Sequence, residues 1–264
     1  MNARIGWVGA TLVLIGAVIG GCSSAPAAPA QLTVLAASSL ANTLPDLSAA
    51  WKTSHASTAL VTSTGATSAL KTQVEQGSPA DVLMGADMTN AQALVDENDA
   101  VGPVTTYATN LLTVIVPASN PKGIQTPADL AKPGVCIIGA GPAVPITKYA
   151  TMLVTNLAAR PEYGTDFAAK YTANLCSQED NVGAVVNKVS LGEGDAAIVY
   201  VTDAKSGQNL TTIAVPSDSN VLATYGAVPV KASTAASTAA AFVSWLRSPE
   251  AQAVLAAHGF GAAP

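Results

Sequence analysis

Two pairs of hydroxyl side chains, Ser38-Ser39 and Thr67-Ser68, stand where an apolar or β-branched run gives way to a helical pattern. Such side chains donate hydrogen bonds without carrying charge, and the first turn of a helix adds backbone N–H groups that lack intrahelical acceptors. Their dipoles converge on whatever lies in front of them, so a junction of this kind suits an anion. The first pair follows the run at 33–37 and precedes Leu40, Leu44, Leu47 and Trp51, spaced as one face of a helix beginning at residue 40. The second follows a β-branched strand at 58–63 and opens a helix carrying Leu70 and Val74, stopped by Gly77. In consecutive βα units of a parallel sheet both junctions fall at the carboxyl edge and can face one point. Each pair taken alone also reads as an ordinary N-cap, since Ser and Thr are preferred there. The two readings are compatible, because both aim the hydroxyl at the helix N-terminus.

Patterns for catalysis are weaker. Of the two histidines, His258 sits at the end of a closing helix, where it complements the C-terminal dipole, and His55 lies near the end of the first helix. A secreted serine hydrolase would need a base such as His55 beside a cleft serine, which that placement disfavours. The sequence has no G-x-S-x-G elbow, no H-E-x-x-H and no paired C-x-x-C. Gly139-Ala140-Gly141-Pro142 starts like a dinucleotide fingerprint but lacks the third glycine and a helix before Thr147. A cation binder would want a His or paired-Tyr ligand cluster, and none is visible in the sequence.

The elements that must position these residues alternate. A strand at 80–85 and a helix carrying Met88, Ala91 and Val95 complete a βαβαβα order, which argues for a parallel sheet with helices on its faces. The longest β-like run, 111–117, reads as the strand on which the chain crosses into a second lobe. There follow a strand at 135–139, helices at 147–157 and 182–189, and a strand at 196–201. Segments 211–216 and 225–230 carry the chain back, and helices at 237–246 and 250–258 close it. Crossing and return make two lobes, 32–111 plus 215–264 and 112–214, with a small-ligand cleft between them.

Arg4 followed by the apolar run 5–19 and Ile19-Gly20-Gly21-Cys22 reads as a secretory signal peptide over 1–22. A small-residue site before a cysteine is similar to a bacterial lipobox, which makes Cys22 the lipidated, palmitate-bearing first residue of the mature protein. The alternative is an ordinary signal cut between Ala25 and Ala30. Residues 23–31, rich in Ala, Pro and Ser, read as a flexible tether. Losing Arg4 leaves 11 basic against 17 acidic residues, a net charge of −6, from the 12 and 17 of the full chain. An acidic chain without a Lys/Arg cluster is a poor partner for nucleic acid. With Cys22 lipidated, Cys136 and Cys176 remain as an even pair in an oxidising compartment, either joined as a disulfide worth about 4 kcal/mol or buried as separate thiols.

The residues then match a family. Val34-Leu35-Ala36-Ala37-Ser38-Ser39-Leu40, Thr67-Ser68-Ala69-Leu70 with Gln73, and Glu75-Gln76-Gly77-Ser78-Pro79-Ala80-Asp81-Val82 resemble the molybdate-binding proteins of ABC transporters. The likeness continues through Ala86-Asp87, Val144-Pro145, Glu179-Asp180-Asn181-Val182-Gly183-Ala184, Ile198-Val199-Tyr200 and the segment 225–230, nearly the whole mature chain. It implies the class II periplasmic-binding-protein fold, α/β with parallel-rich sheets flanked by helices and a ligand cleft between two lobes. It implies that Ser39 and Thr67 are hydroxyl ligands, with Thr67 where the family usually has serine and its extra methyl narrowing the pocket. Ser68 takes that role if the register differs by one. Backbone N–H donors fall on Ile146 and Asn181, and a tyrosine hydroxyl on Tyr200, which without the resemblance reads as a core aromatic. Asp81 and Asp87 read as helix and loop supports, since a carboxylate beside a dianion is repulsive.

The implied protein is a monomeric, non-enzymatic lipoprotein on the extracytoplasmic face of the cell membrane. It takes molybdate and tungstate, holds molybdenum only as that oxyanion, needs no cofactor and delivers its ligand to an ABC permease. A sulfate or phosphate binder of the same architecture is the nearest alternative, and cavity size separates the two.

Overall fold

The computed structural model describes Met1, Ala3 and residues 30–264; Cys22, the rest of the expected signal segment and the tether up to residue 29 lie outside the described residues. Among those described, no helix is long and apolar enough to cross a membrane. Strand β1 (Ala30–Ala37) runs into a short 3-10 turn, Ser38–Leu40, before α1 (Leu44–Ser54) begins. The helix expected from residue 40 therefore starts four residues later. Pro45 is the reason: proline lacks the N–H and crowds the preceding turn of a helix interior, but is tolerated in the first turn. Leu40, Leu44, Leu47 and Trp51 are nevertheless all buried, so the apolar face was read correctly.

The chain continues through β2 (Thr58–Gly65), α2 (Thr67–Glu75), β3 (Val82–Met84), α3 (Met88–Asp96) and β4 (Thr105–Asn110). Leu111 alone separates β4 from β5 (Leu112–Pro117), which lies in a different sheet. Then come β6 (Ile137–Ala140), α4 (Pro145–Ala158), α5 (Phe167–Ala173), β7 (Leu175–Glu179), α6 (Val182–Ser190), β8 (Ala197–Tyr200), α7 (Val201–Ser206) and β9 (Leu210–Ile213). The chain returns through β10 (Ala223–Pro229) and ends on α8 (Ala236–Trp245) and α9 (Pro249–Ala257).

The first sheet has the order β2-β1-β3-β10-β4; the later strands form β8-β5-β9 and the pair β6-β7. Parallel pairing holds where βα units follow one another, β1 with β2 and β3, and β6 with β7. The return strand β10 is antiparallel to both its neighbours, and β5 is antiparallel to β8 and β9. Of the segment 211–216, expected to help carry the chain back, residues 211–213 instead belong to β9 in the second sheet, and the return is left to 214–222 and β10. In the β1–β2 register Ala37 faces Gly65, so the two hydroxyl-bearing junctions sit side by side at one sheet edge.

Strand β1 is covered on both faces, which explains its unbroken apolar run. Val34 and Ala36 face the core that holds Leu40, Trp51 and Phe242, while Leu35 joins Leu70, Val74 and Leu94 on the other side. In the second region Cys136 and Cys176 are joined as a disulfide, with Cα atoms 5.3 Å apart across the start of the β6–β7 pair.

Candidate functional site

A narrow, solvent-open pocket with a free volume of about 10 Å³ lies where the two groups of sheets meet. Ala37, Ser38, Ser39, Gly65, Ala66, Thr67 and Ala86 line it from the first; Val144, Pro145, Ile146, Val182 and Tyr200 line it from the second. Among the described residues lining it there is no charged side chain, histidine or cysteine. What the pocket offers is hydroxyl groups, backbone amides and apolar walls.

Neither hydroxyl pair is an N-cap. The 3-10 turn and α2 are preceded by Ala37 and Ala66, with no side-chain capping bond at either. Thr67, at the first position of α2, is 1% exposed, and its Oγ1 accepts the Ala86 N–H at 3.0 Å. With that lone pair engaged from behind, its proton is free to point into the pocket. Ser68 is half-buried and does not line the pocket. The Thr67 methyl group, expected to narrow the pocket, is instead turned toward Gly85, where a Cβ would stand only 2.8 Å from it. Tyr107 Oη donates to the Gly85 carbonyl at 3.0 Å and holds that turn in place.

Ser39 lies in the 3-10 turn, is buried, and shares a 3.0 Å hydrogen bond with Tyr225 Oη in which either oxygen can donate. Tyr200 ends β8; its ring is buried, and its hydroxyl has no hydrogen-bond partner among the described residues. Burial pushes its phenol well above the usual range, so it keeps its proton near neutral pH and can only donate to an anion. A buried hydroxyl without a partner is unusual and calls for a ligand or a water.

Two helices aim their first turns at the same place. Helix α4 starts at Pro145, so the Ile146 N–H falls in the first turn, where no intrahelical acceptor exists. Helix α6 is capped by Asn181, whose Oδ1 accepts the Ala184 N–H at 3.0 Å. Val182, the next residue, lines the pocket, while the Asn181 side chain is occupied as the cap.

The carboxylates near the cleft do structural work. Asp81 accepts the Thr33 N–H at 2.7 Å and bonds the Ser233 hydroxyl; Asp87 caps α3 through the Asn90 N–H at 3.1 Å. Burial raises the Asp87 carboxyl above its usual range. Asp203, in α7, is more extreme: it is buried, its Oδ2 has no partner among the described residues, and burial pushes its pKa up to about 7. His55 bonds Ser54 Oγ at 2.9 Å and His258 bonds Asp46 at 2.8 Å; neither lines the pocket.

Apart from Tyr200, the aromatic residues packed around the pocket carry no signal in the sequence. Tyr107, Tyr225 and Tyr149 come from distant segments yet meet Tyr200 and one another edge to face in the series Tyr107, Tyr225, Tyr200, Tyr149, with ring centroids 6.0, 5.6 and 6.1 Å apart. The tyrosine cluster not visible along the chain is thus assembled in space. Burial raises all four phenols, which keeps them protonated and ill-suited to bind a cation. Asn110, at the end of β4, donates to Tyr225 Oη and to Thr202 Oγ1 and was likewise unread.

Two groups of α/β sheets with an uncharged, donor-lined cleft between them define a protein that binds a small solute. The chain belongs to the bacterial extracellular solute-binding protein family, whose model matches residues 32–261, and membership implies a location outside the cytoplasm. The periplasmic molybdate-binding protein of Azotobacter vinelandii has a similar structure, with 24% identity, a TM-score of 0.74, and coverage of 87% of this chain and 98% of that one. The sulfate-binding protein SubI of Mycobacterium tuberculosis gives 22% identity, a TM-score of 0.74, and coverage of 88% and 86%. Iron-bound HitA of Pseudomonas aeruginosa gives 18% identity, a TM-score of 0.62, and coverage of 86% and 84%. Solutes this different on one fold leave the ligand to be argued from the site. Comparison with curated proteins finds no match.

Proposed function

We propose that this protein captures molybdate, and tungstate with it, for an ABC permease. Ser39, Thr67 and Tyr200 donate hydroxyl protons, and the backbone amides of Ile146 and Asn181 complete the set. The lobes are 32–111 plus 215–264 and 112–214, and a lipid on Cys22 holds the protein as a monomer at the membrane. One observation carries this reading: an uncharged pocket where Thr67 already accepts from behind and the Tyr200 hydroxyl has no partner of its own. Such a set pairs with an oxyanion that bears no proton, because every group facing it donates. Charge–charge attraction is not required, which fits an acidic protein.

The family resemblance and the Azotobacter neighbour support molybdate; the Mycobacterium neighbour, at the same TM-score, keeps sulfate as the competing reading. Both ions are tetrahedral dianions, and only donor spacing separates them. Titration of the purified domain from residue 30 onward with molybdate, tungstate, sulfate and phosphate tests the assignment. Saturable molybdate binding that Ser39→Ala weakens supports it; no binding of any oxyanion removes it.

A further inference from the structure

The Ser39–Tyr225 hydrogen bond has two possible directions, and Asn110 decides between them. The Asn110 side-chain oxygen accepts the Leu111 N–H at 3.0 Å, which turns its NH2 group the other way. That group donates to Thr202 Oγ1 at 2.9 Å and to Tyr225 Oη at 3.4 Å. An amide nitrogen never accepts, so Tyr225 Oη accepts the hydrogen bond from Asn110, and among the described residues only Ser39 Oγ, 3.0 Å away, is placed to accept its own. If Ser39 donated instead, the phenolic proton would be buried without an acceptor among the described residues. Tyr225, Asn110 and Ser39 are 0, 3 and 7% exposed, so bulk water does not compete.

We propose that Tyr225, oriented by Asn110, is a positioning residue that commits the Ser39 hydroxyl to donating into the pocket. The proposal rests on the oxyanion reading above. Tyr225 does not line the pocket; it acts through Ser39. Each oxygen in the series accepts from the one behind and donates to the one in front, and such chains polarise in the same sense. The series also starts at the crossing between the sheets: Asn110 ends β4, Tyr225 lies in the return strand β10, and Thr202 lies in α7.

A double-mutant cycle read by calorimetry with molybdate tests this. Tyr225→Phe keeps the ring that packs edge-on against Tyr107, Tyr200 and Phe260, so the fold is retained. It should weaken molybdate binding roughly tenfold, the scale of one hydrogen bond. In the Ser39→Ala background the same change should cost less than about twofold, because the hydroxyl it positions is gone. Equal losses in both backgrounds would mean that Tyr225 acts on the fold in general, and would overturn the proposal, as would wild-type affinity in Tyr225→Phe. A wild type that binds no oxyanion would instead remove the underlying reading, and the proposal with it.

Discussion

Replacing Tyr200 by phenylalanine should move stability and affinity in opposite directions. The Tyr200 hydroxyl is buried with no partner among the described residues, and a group of this kind left unpaired costs about 1–3 kcal/mol. Phenylalanine removes the hydroxyl and keeps the ring that meets Tyr149 and Tyr225. The ligand-free variant is therefore more stable than wild type, with a melting temperature several degrees higher. In the proposed bound state the hydroxyl donates to the dianion, and its loss should weaken binding by about 1.5–3 kcal/mol, the range for hydrogen bonds to charged groups. At a molybdate concentration a thousandfold above the wild-type Kd, wild type gains about 4 kcal/mol of stability, and a variant weakened thirtyfold gains about 2. Wild type thus gains about 2 kcal/mol on the variant as molybdate is added, so the variant's lead shrinks by that amount and the two melting curves change order where the unpaired hydroxyl costs less than about 2 kcal/mol. Scanning calorimetry over a molybdate series measures this directly. A ligand-free variant less stable than wild type with unchanged affinity would refute the reasoning and make the hydroxyl a structural group.

Ser39→Ala should weaken molybdate binding by about 1.5–3 kcal/mol, and Thr67→Ala should do likewise while Ser68→Ala stays near wild type; titration calorimetry ranks the three, and a larger loss at Ser68 would transfer the role. Gly85→Ala should push Thr67 off its position, because the new Cβ meets the threonine methyl at 2.8 Å, and Thr67→Ser in the same chain should partly restore molybdate binding by removing that methyl. Asp203 binds its proton more tightly in the folded state, at about 7 against 3.8 unfolded, so stability should fall as pH rises from about 4 to about 7 and level off above. The full difference corresponds to about 4 kcal/mol, and Asp203→Asn should abolish that fall in denaturant titrations across the range; an unchanged pH profile would show that Asp203 does not carry it.

Much of the frame of the site was legible in the sequence. The β-branched and apolar runs, and the leucine spacing after each, locate both hydroxyl junctions, and the parallel register of Ala37 with Gly65 sets them side by side as expected. The start of α1 was misplaced because periodicity outweighed Pro45, although the proline marks the first turn. Ser39 and Tyr225 are 186 residues apart, and Asn110 and Tyr225 are 115 apart, so no local pattern announces their contact. Tyr200 looks like any core aromatic until its unpaired hydroxyl is seen in three dimensions, and only the family resemblance singled it out. Asp203 gave no signal at all: its burial depends on how α7 packs, not on its neighbours in the chain.

The proposed neutral donor set selects molybdate only if its spacing suits a large tetrahedral dianion. Sulfate carries the same charge and the same four acceptor oxygens on shorter bonds, so fixed donors can discriminate only by the distances they impose. Stretched hydrogen bonds to sulfate, after it has lost its water, predict an affinity at least ~3 kcal/mol weaker, roughly two such bonds. Competition calorimetry with molybdate, tungstate and sulfate on the purified domain is the most direct measurement. Molybdate and tungstate should bind with near-equal affinity and sulfate more than a hundredfold more weakly; sulfate competing on equal terms would contradict the molybdate assignment.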